Sequence, residues 1–312
     1  MKPCPSRFTA RRTLTSLSYA LLALLSVGAH AEVIHVSADG DDAHDGSASS
    51  PIRTLAMAQK IIERSTPADT EVLISPGIYA AQTVVWSYTM PKHTIRFVGS
   101  PGSIFDGGGK GLTFFELRGA KGAPTNLVFE GLTVTHYATA ISLDGNRNVS
   151  AEFNGRNRII GNRFVDVGGN DPKGNDSTAV IRFVNSDDNM IEDNLFKGMV
   201  SKNCQLLHAL YFAHGSSGNR VERNTFEDGC GDPIRFRDAS NKNVVRNNTF
   251  TKVGKTSAVS EWFCAGSTAC TKKTSECPSH DNVIENNTFG SNYAGMQLKS
   301  RDVIKRAAPP DC

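Results

Sequence analysis

The residues able to do chemistry crowd into one part of the chain. Between Asn203 and Cys264 it reads "NCQLLHALYFAHGSSGN", then "EDGCGDPIRFRDASNKN" and "SAVSEWFC". Three strand-like segments align on a central phenylalanine: Phe183, Phe212 and Phe236. Strand side chains alternate in direction, so Ile181, Leu210 and Ile234 point inward with the phenylalanines. Arg182, Tyr211 and Arg235 then share one outward column, and Val184, Ala213 and Arg237 the next. Beyond each strand stand Asn185, His214 and Asp238; before it stand Ala179, His208 and Asp232, whose direction depends on an unplaced turn. Glu261 is expected one coil further on. A guanidinium fork matches a carboxylate bidentately. With Arg235 or Arg237 as clamp, His208 as base and Tyr211 as acid, the cluster has the parts for β-elimination beside a carboxylate. His214, Asp232, Asp238, Glu261 and Arg182 are the expected substrate contacts. Hydrolysis would instead use two carboxyl groups about 5 to 9.5 Å apart, drawn from Asp232, Asp238 and Glu261. The plain alternative is that Arg and Asp columns pair as ladders that keep a sheet edge soluble.

Such a surface needs a scaffold that stacks equivalent residues, and a repeat supplies one. "NRIIGNRFVDV" begins at Asn157, "NMIEDNLFKGM" at Asn189, "NRVERNTFEDG" at Asn219, "NVVRNNTFTKV" at Asn243 and "NVIENNTFGSN" at Asn282. The anchors are spaced 32, 30, 24 and 39 residues apart, so the shortest approximates one bare coil and the excess is loop. Each unit carries an aliphatic residue, a second Asn (162, 194, 224, 248, 287) and a Phe (164, 196, 226, 250, 289). Fixed-period self-similarity of this kind marks a β-solenoid. Coils about 4.8 Å apart would stack the Phe column as an aromatic core. The Asn column is expected at a corner, in left-handed backbone and bonded to its neighbour above. "NLVFEGLTVTH" from Asn126 is an earlier, degenerate coil. The fold class is therefore all-β, a right-handed parallel β-helix with a short N-terminal capping helix over Leu55 to Arg64.

The chain opens with Lys2, Arg7, Arg11 and Arg12, the apolar run "YALLALLSVGA" and then "AHA" before Glu32. Residues 1–31 read as a secretory signal peptide, too short in its apolar run to span a membrane. Removing it takes away four cations and no acids, turning a formal +3 into about −1. Neither balance suggests a nucleic-acid partner. Six cysteines remain (Cys204, Cys230, Cys264, Cys270, Cys277, Cys312), and an even count in an exported chain points to three disulfides. Cys204 and Cys230 fall in corresponding loops of adjacent coils and can pair. The mature chain reads as one domain, 32–312: a cap at 32–80, coils at 81–292 and a tail at 293–312.

The N-terminal text "VIHVSADGDDAHDGSASSPIRTLAMAQKIIERSTPADTEVLISPGIY" resembles the cap of secreted proteins in the pectate-lyase-like superfamily. That resemblance implies a plugged β-helix acting on acidic polysaccharides, by lyase, hydrolase or epimerase chemistry. The chain lacks the "RxPxxR" of pectate lyases, the "DD" and "GHG" of polygalacturonases and the "DPH" of alginate epimerases. Its resemblance is thus specific for fold and not for reaction. The expected function is a polysaccharide lyase on a uronic-acid polymer, secreted or periplasmic and monomeric, with no membrane association after signal removal. A glycoside hydrolase of an acidic polysaccharide and a non-catalytic glycan-binding β-helix are the rivals. No metal ligand is assigned. Calcium is the cofactor to consider, because related lyases use it to hold the uronate, and "DGDDAHDG" (Asp39 to Gly46) has alternating Asp; a solvated acidic loop is the other reading.

Overall fold

The computed structural model describes residues 32–169, 179–255, 257–264 and 276–298. The expected signal peptide, Cys270, Cys312 and most of the expected tail lie outside them. The described chain builds three large parallel sheets of nine, seven and eight strands, a complete coil giving one strand to each, and one further two-stranded parallel pair. No strand pair within them is antiparallel: every ladder joins a strand to its equivalent one coil on.

The repeat maps onto this lattice. Its aliphatic residues lie in the first sheet, with Ile159, Ile191, Val221, Val245 and Ile284 in register. Its phenylalanines lie in the third, where Phe164, Phe196, Phe226, Phe250 and Phe289 stack with centroids 5.0, 4.9, 4.9 and 5.5 Å apart. A second aromatic column, Phe183–Phe212–Phe236, fills the core behind the second sheet. Burying such rings removes large apolar area from water and adds favourable offset stacking.

Both asparagine columns are buried ladders. The Asn189 backbone N–H and Nδ2 donate to Asn219 Oδ1 at 3.0 and 2.7 Å, and Asn219 donates likewise to Asn243 at 2.9 and 2.9 Å. The second column repeats this from Asn162 through Asn194, Asn224 and Asn248 to Asn287. The expected left-handed backbone falls one residue earlier than the ladder: Arg156, Asp188, Lys242 and Asp281 precede the first Asn with φ of 56°, 55°, 57° and 56°. The ladder Asn is thereby freed to keep its amide in line with the coil above. Asn126 occupies the same turn position as Arg156, so the early coil is read one residue out of register: Phe129 pairs with Ile159, and Val134 with Phe164.

The cap is partly coil already. Strands Thr70–Ile74 and Gly77–Ala80 belong to the first and third sheets, so the coils begin before residue 81. The helix spans Leu55–Ile62, two residues shorter than expected, because the Arg64 N–H turns back to the Ile61 carbonyl at 3.0 Å. Thr54 caps its start, accepting from the Met57 N–H, and Leu55, Ala58 and Ile62 are buried against the first strands of two sheets. The helix so covers strand edges that would otherwise invite association.

Candidate active site

The second sheet carries most of the candidate residues. Its ladders put Arg182 beside Tyr211 and Tyr211 beside Arg235, the outward column expected from alternation. The direction of His208 follows from a feature the alternation rule does not contain. Ala209 and Leu210 are consecutive yet both lie in the core, as do Val180 and Ile181 one coil before. Alternation slips by one residue there, and His208 emerges on the same side as Tyr211. The two rings lie nearly parallel at 11°, with centroids 5.9 Å apart.

These residues line a groove of about 1180 Å³ that also takes in Lys202, Asp232, Lys255 and Trp262. His208 is 4% exposed, and its Nδ1 lies 2.7 Å from the Asp232 carbonyl oxygen. A carbonyl only accepts, so Nδ1 carries the proton and a neutral ring keeps its Nε2 lone pair free. Burial, then the neighbouring Arg235 cation, push the imidazole down to about 4, so the ring is neutral at ordinary pH.

The two arginines differ. Arg237 is saturated: Nε lies 2.9 and 3.0 Å from the Glu276 carboxylate oxygens, Nη2 lies 2.6 Å from Oε1, and Nη1 donates to Tyr211 Oη at 3.0 Å. Its guanidinium also lies over Trp262, 4.4 Å from the ring centroid. Burial works against its charge, but the bonds to Glu276 and Tyr211 outweigh it and hold Arg237 above its usual range. Arg235, by contrast, has a buried Nε with no hydrogen-bond partner, and its nearest carboxylate oxygen, on Asp232, is 3.6 Å away. Burial lowers its proton affinity, which Asp232 partly offsets.

Other expected members lie elsewhere. Arg182 is tied to Asp144 and does not reach the groove. His214 bonds Asp238 through Nδ1 at 2.7 Å and Arg147 through Nε2 at 3.0 Å, while Asp238 also accepts from the Cys277 N–H at 3.1 Å. Glu261 is displaced inward: it pairs with Phe236 in the inward column and accepts from the Ser279 N–H. Parity is the reason, since the outward columns continue through Ser260 and Trp262.

Among the described residues, His214, Asp238 and Glu276 bring ligand atoms within 4.8 Å of one another, a grouping able to hold a cation. Each is already hydrogen-bonded, and Arg147 and Arg237 crowd it with positive charge. In the Asp39–Gly46 loop, Asp42 instead accepts from the Arg53 and Thr54 N–H groups and the Thr54 hydroxyl, fixing the helix start.

A disulfide joins Cys204 to Cys230, pairing the loops that lead to His208 and Asp232; Cys264 and Cys277 are disulfide-bonded as well. Sequence reasoning missed Glu276, Lys202 and Lys255. For Glu276 the one available signal is its place next to Cys277, itself disulfide-bonded.

No sequence-family model and no curated protein matches the chain. Solved structures do. A rhamnogalacturonan lyase is similar over 82% of this chain and 67% of its own, at 14% identity and a TM-score of 0.54. The family 28 exopolygalacturonase of Yersinia enterocolitica matches over 85% and 67%, at 12% identity and 0.47. The surface adhesin PfbA of Streptococcus pneumoniae matches over 74% and 68%, at 13% and 0.43. With its three parallel sheets and capping helix, the chain has the right-handed parallel β-helix fold.

Proposed function

We propose that the protein is a carbohydrate-active enzyme, a lyase that cleaves a uronic-acid polysaccharide by β-elimination outside the cytoplasm. The observation that carries this reading is the meeting, in one groove, of a neutral His208 with a free Nε2, the Tyr211 phenol and an Arg235 with an unpartnered Nε. Arg235 binds the uronate carboxylate and makes the C5 proton more acidic. His208 Nε2 takes that proton, the C4–O bond breaks, a C4=C5 double bond forms, and the Tyr211 hydroxyl protonates the departing oxygen. Arg237 donates to the Tyr211 oxygen, so the phenol proton is directed away from it, and the same cation stabilises the phenolate left behind. The bound carboxylate offsets the Arg235 charge that depresses His208, so the base gains strength when substrate is present.

Hydrolysis ranks second, since among the described residues Asp232 is the one carboxylate lining the groove and that reaction needs two. A binding-only role leaves the free Nε2 and the oriented phenol without use. The disulfides and the leader-like N-terminus favour export. The test is ultraviolet absorbance of the protein with pectate, alginate, glucuronan and glycosaminoglycans, with and without calcium. A rising unsaturated-uronate signal, lost in Arg235→Ala and His208→Ala, supports the lyase. New reducing ends without that signal move the reading to hydrolysis, and neither signal on any polymer removes the enzyme.

A further inference from the structure

The groove is not uniformly polar. Leu206, Trp262, Tyr293 and Met296 border it with 47%, 42%, 47% and 62% of their surface exposed. Singly scattered apolar residues need no explanation, but several around one concave site mark a surface that something covers.

Each is also held in place. Leu206 stands in the loop closed by Cys204–Cys230, with its N–H on the Asn203 carbonyl at 3.0 Å. Trp262 lies with one face on Arg237. Tyr293 and Met296 sit on a tight turn: Asn292 and Met296 exchange bonds of 2.6 and 2.7 Å, and the Tyr293 N–H reaches the Gly254 carbonyl at 3.0 Å. A backbone already anchored loses little freedom on binding, which favours recognition. The exposed cations Lys202 and Lys255 border the same groove.

The geometry points to an occupant of matching double character: a uronic-acid glycan bearing methyl groups, which pack on Leu206 and the Tyr293–Met296 turn while its carboxylate meets Arg235. The inference rests on the reading that the groove receives a uronate, and it narrows which one. The methyl can belong to an O-acetyl ester or to a 6-deoxy sugar alternating with the uronate. A plain homopolymer of uronic acid satisfies the cations and leaves the apolar border wet.

Trp86 is fully buried, so of the two tryptophans only Trp262 reports on ligands in the groove. Its fluorescence would be titrated with de-esterified oligogalacturonate, the same oligomer O-acetylated, and an alternating 6-deoxyhexose–galacturonate oligomer of equal charge. At least one methyl-bearing oligomer should bind about tenfold tighter than the plain one, as burial of about two methyl groups implies. Which one does so identifies the source of the methyl. In a Leu206→Ser, Met296→Ser double variant the preference should vanish while affinity for the plain oligomer is retained.

Equal affinities, no binding of any oligomer, or a preference that survives in the double variant overturns the inference. Unsaturated product is followed in the same samples by absorbance. A methyl preference without product leaves this inference standing and removes the lyase. Cleavage of all three oligomers with no preference does the reverse.

Discussion

Burying a neutral histidine couples stability to pH, and His208 makes the effect measurable. Its imidazole titrates at about 4 in the folded chain and at about 6.5 in an unfolded one. Between those values the unfolded chain holds a proton that the folded chain does not. Stability from this group is therefore complete above about pH 6.5 and is lost as pH falls toward about 4. One unit of displacement corresponds to about 1.4 kcal/mol, so the gap amounts to about 3 kcal/mol. The assay is urea denaturation of the wild type and of His208→Gln at intervals from pH 7 to pH 4. Carboxylates contribute to the pH dependence of both, and their contribution cancels in the difference. The wild type should lose about 3 kcal/mol more than the variant over that range. In turnover, the acidic limb of kcat/KM should fall near pH 4 rather than near pH 6.5, because the free enzyme must carry a neutral base. Parallel stability curves for the two proteins would falsify the assignment of a buried, neutral His208.

Arg235→Ala should raise KM and lower kcat together, with Arg235→Lys recovering only part, since an ammonium restores charge without the fork; steady-state kinetics on the best substrate checks it. Glu276→Gln should lower kcat by about tenfold to a hundredfold with little change in KM, because it loosens Arg237 from Tyr211 without touching Arg235; an unchanged kcat refutes that chain of contacts. Asn219→Ala removes the acceptor of two Asn189 bonds and the donor to Asn243 within the core, and should cost about 2 to 4 kcal/mol in urea midpoint measurements. Replacing Cys204 and Cys230 together by Ser opens a loop of 26 residues and should cost about 3 to 4 kcal/mol by the chain-entropy relation, read as a lowered denaturation midpoint.

The coil lattice was legible because its determinants are local and repeated. Asn and Phe recur at fixed offsets, and stacking one coil on the next turns each offset into a column. What the offsets could not tell was which residue of a turn adopts left-handed backbone. That role falls to the residue before the ladder Asn, where the types vary among Arg, Asp, Lys, Gly and Asn, so composition gives no clear signal. The early coil at Asn126 was misplaced by one residue for the same reason, since its Asn serves the turn and not the ladder.

The site was legible only as far as alternation holds. Tyr211 and Arg235 follow from parity within one strand, and so does the inward position of Glu261, had parity been carried one coil further. His208 depends on two successive inward residues, a slip that no alternating pattern encodes. The division between the arginines lies further still from the sequence. Arg235 and Arg237 are two residues apart, of one type and on one face. Glu276 saturates one, while the other has Asp232 no nearer than 3.6 Å and an unpartnered Nε. A fork already satisfied by a buried carboxylate has little to offer an incoming one, whereas a buried Nε without a partner keeps its desolvation uncompensated until an anion arrives. Under the proposed reaction, binding at Arg235 would recover a cost the folded protein already carries, which favours Arg235 over Arg237 as the clamp.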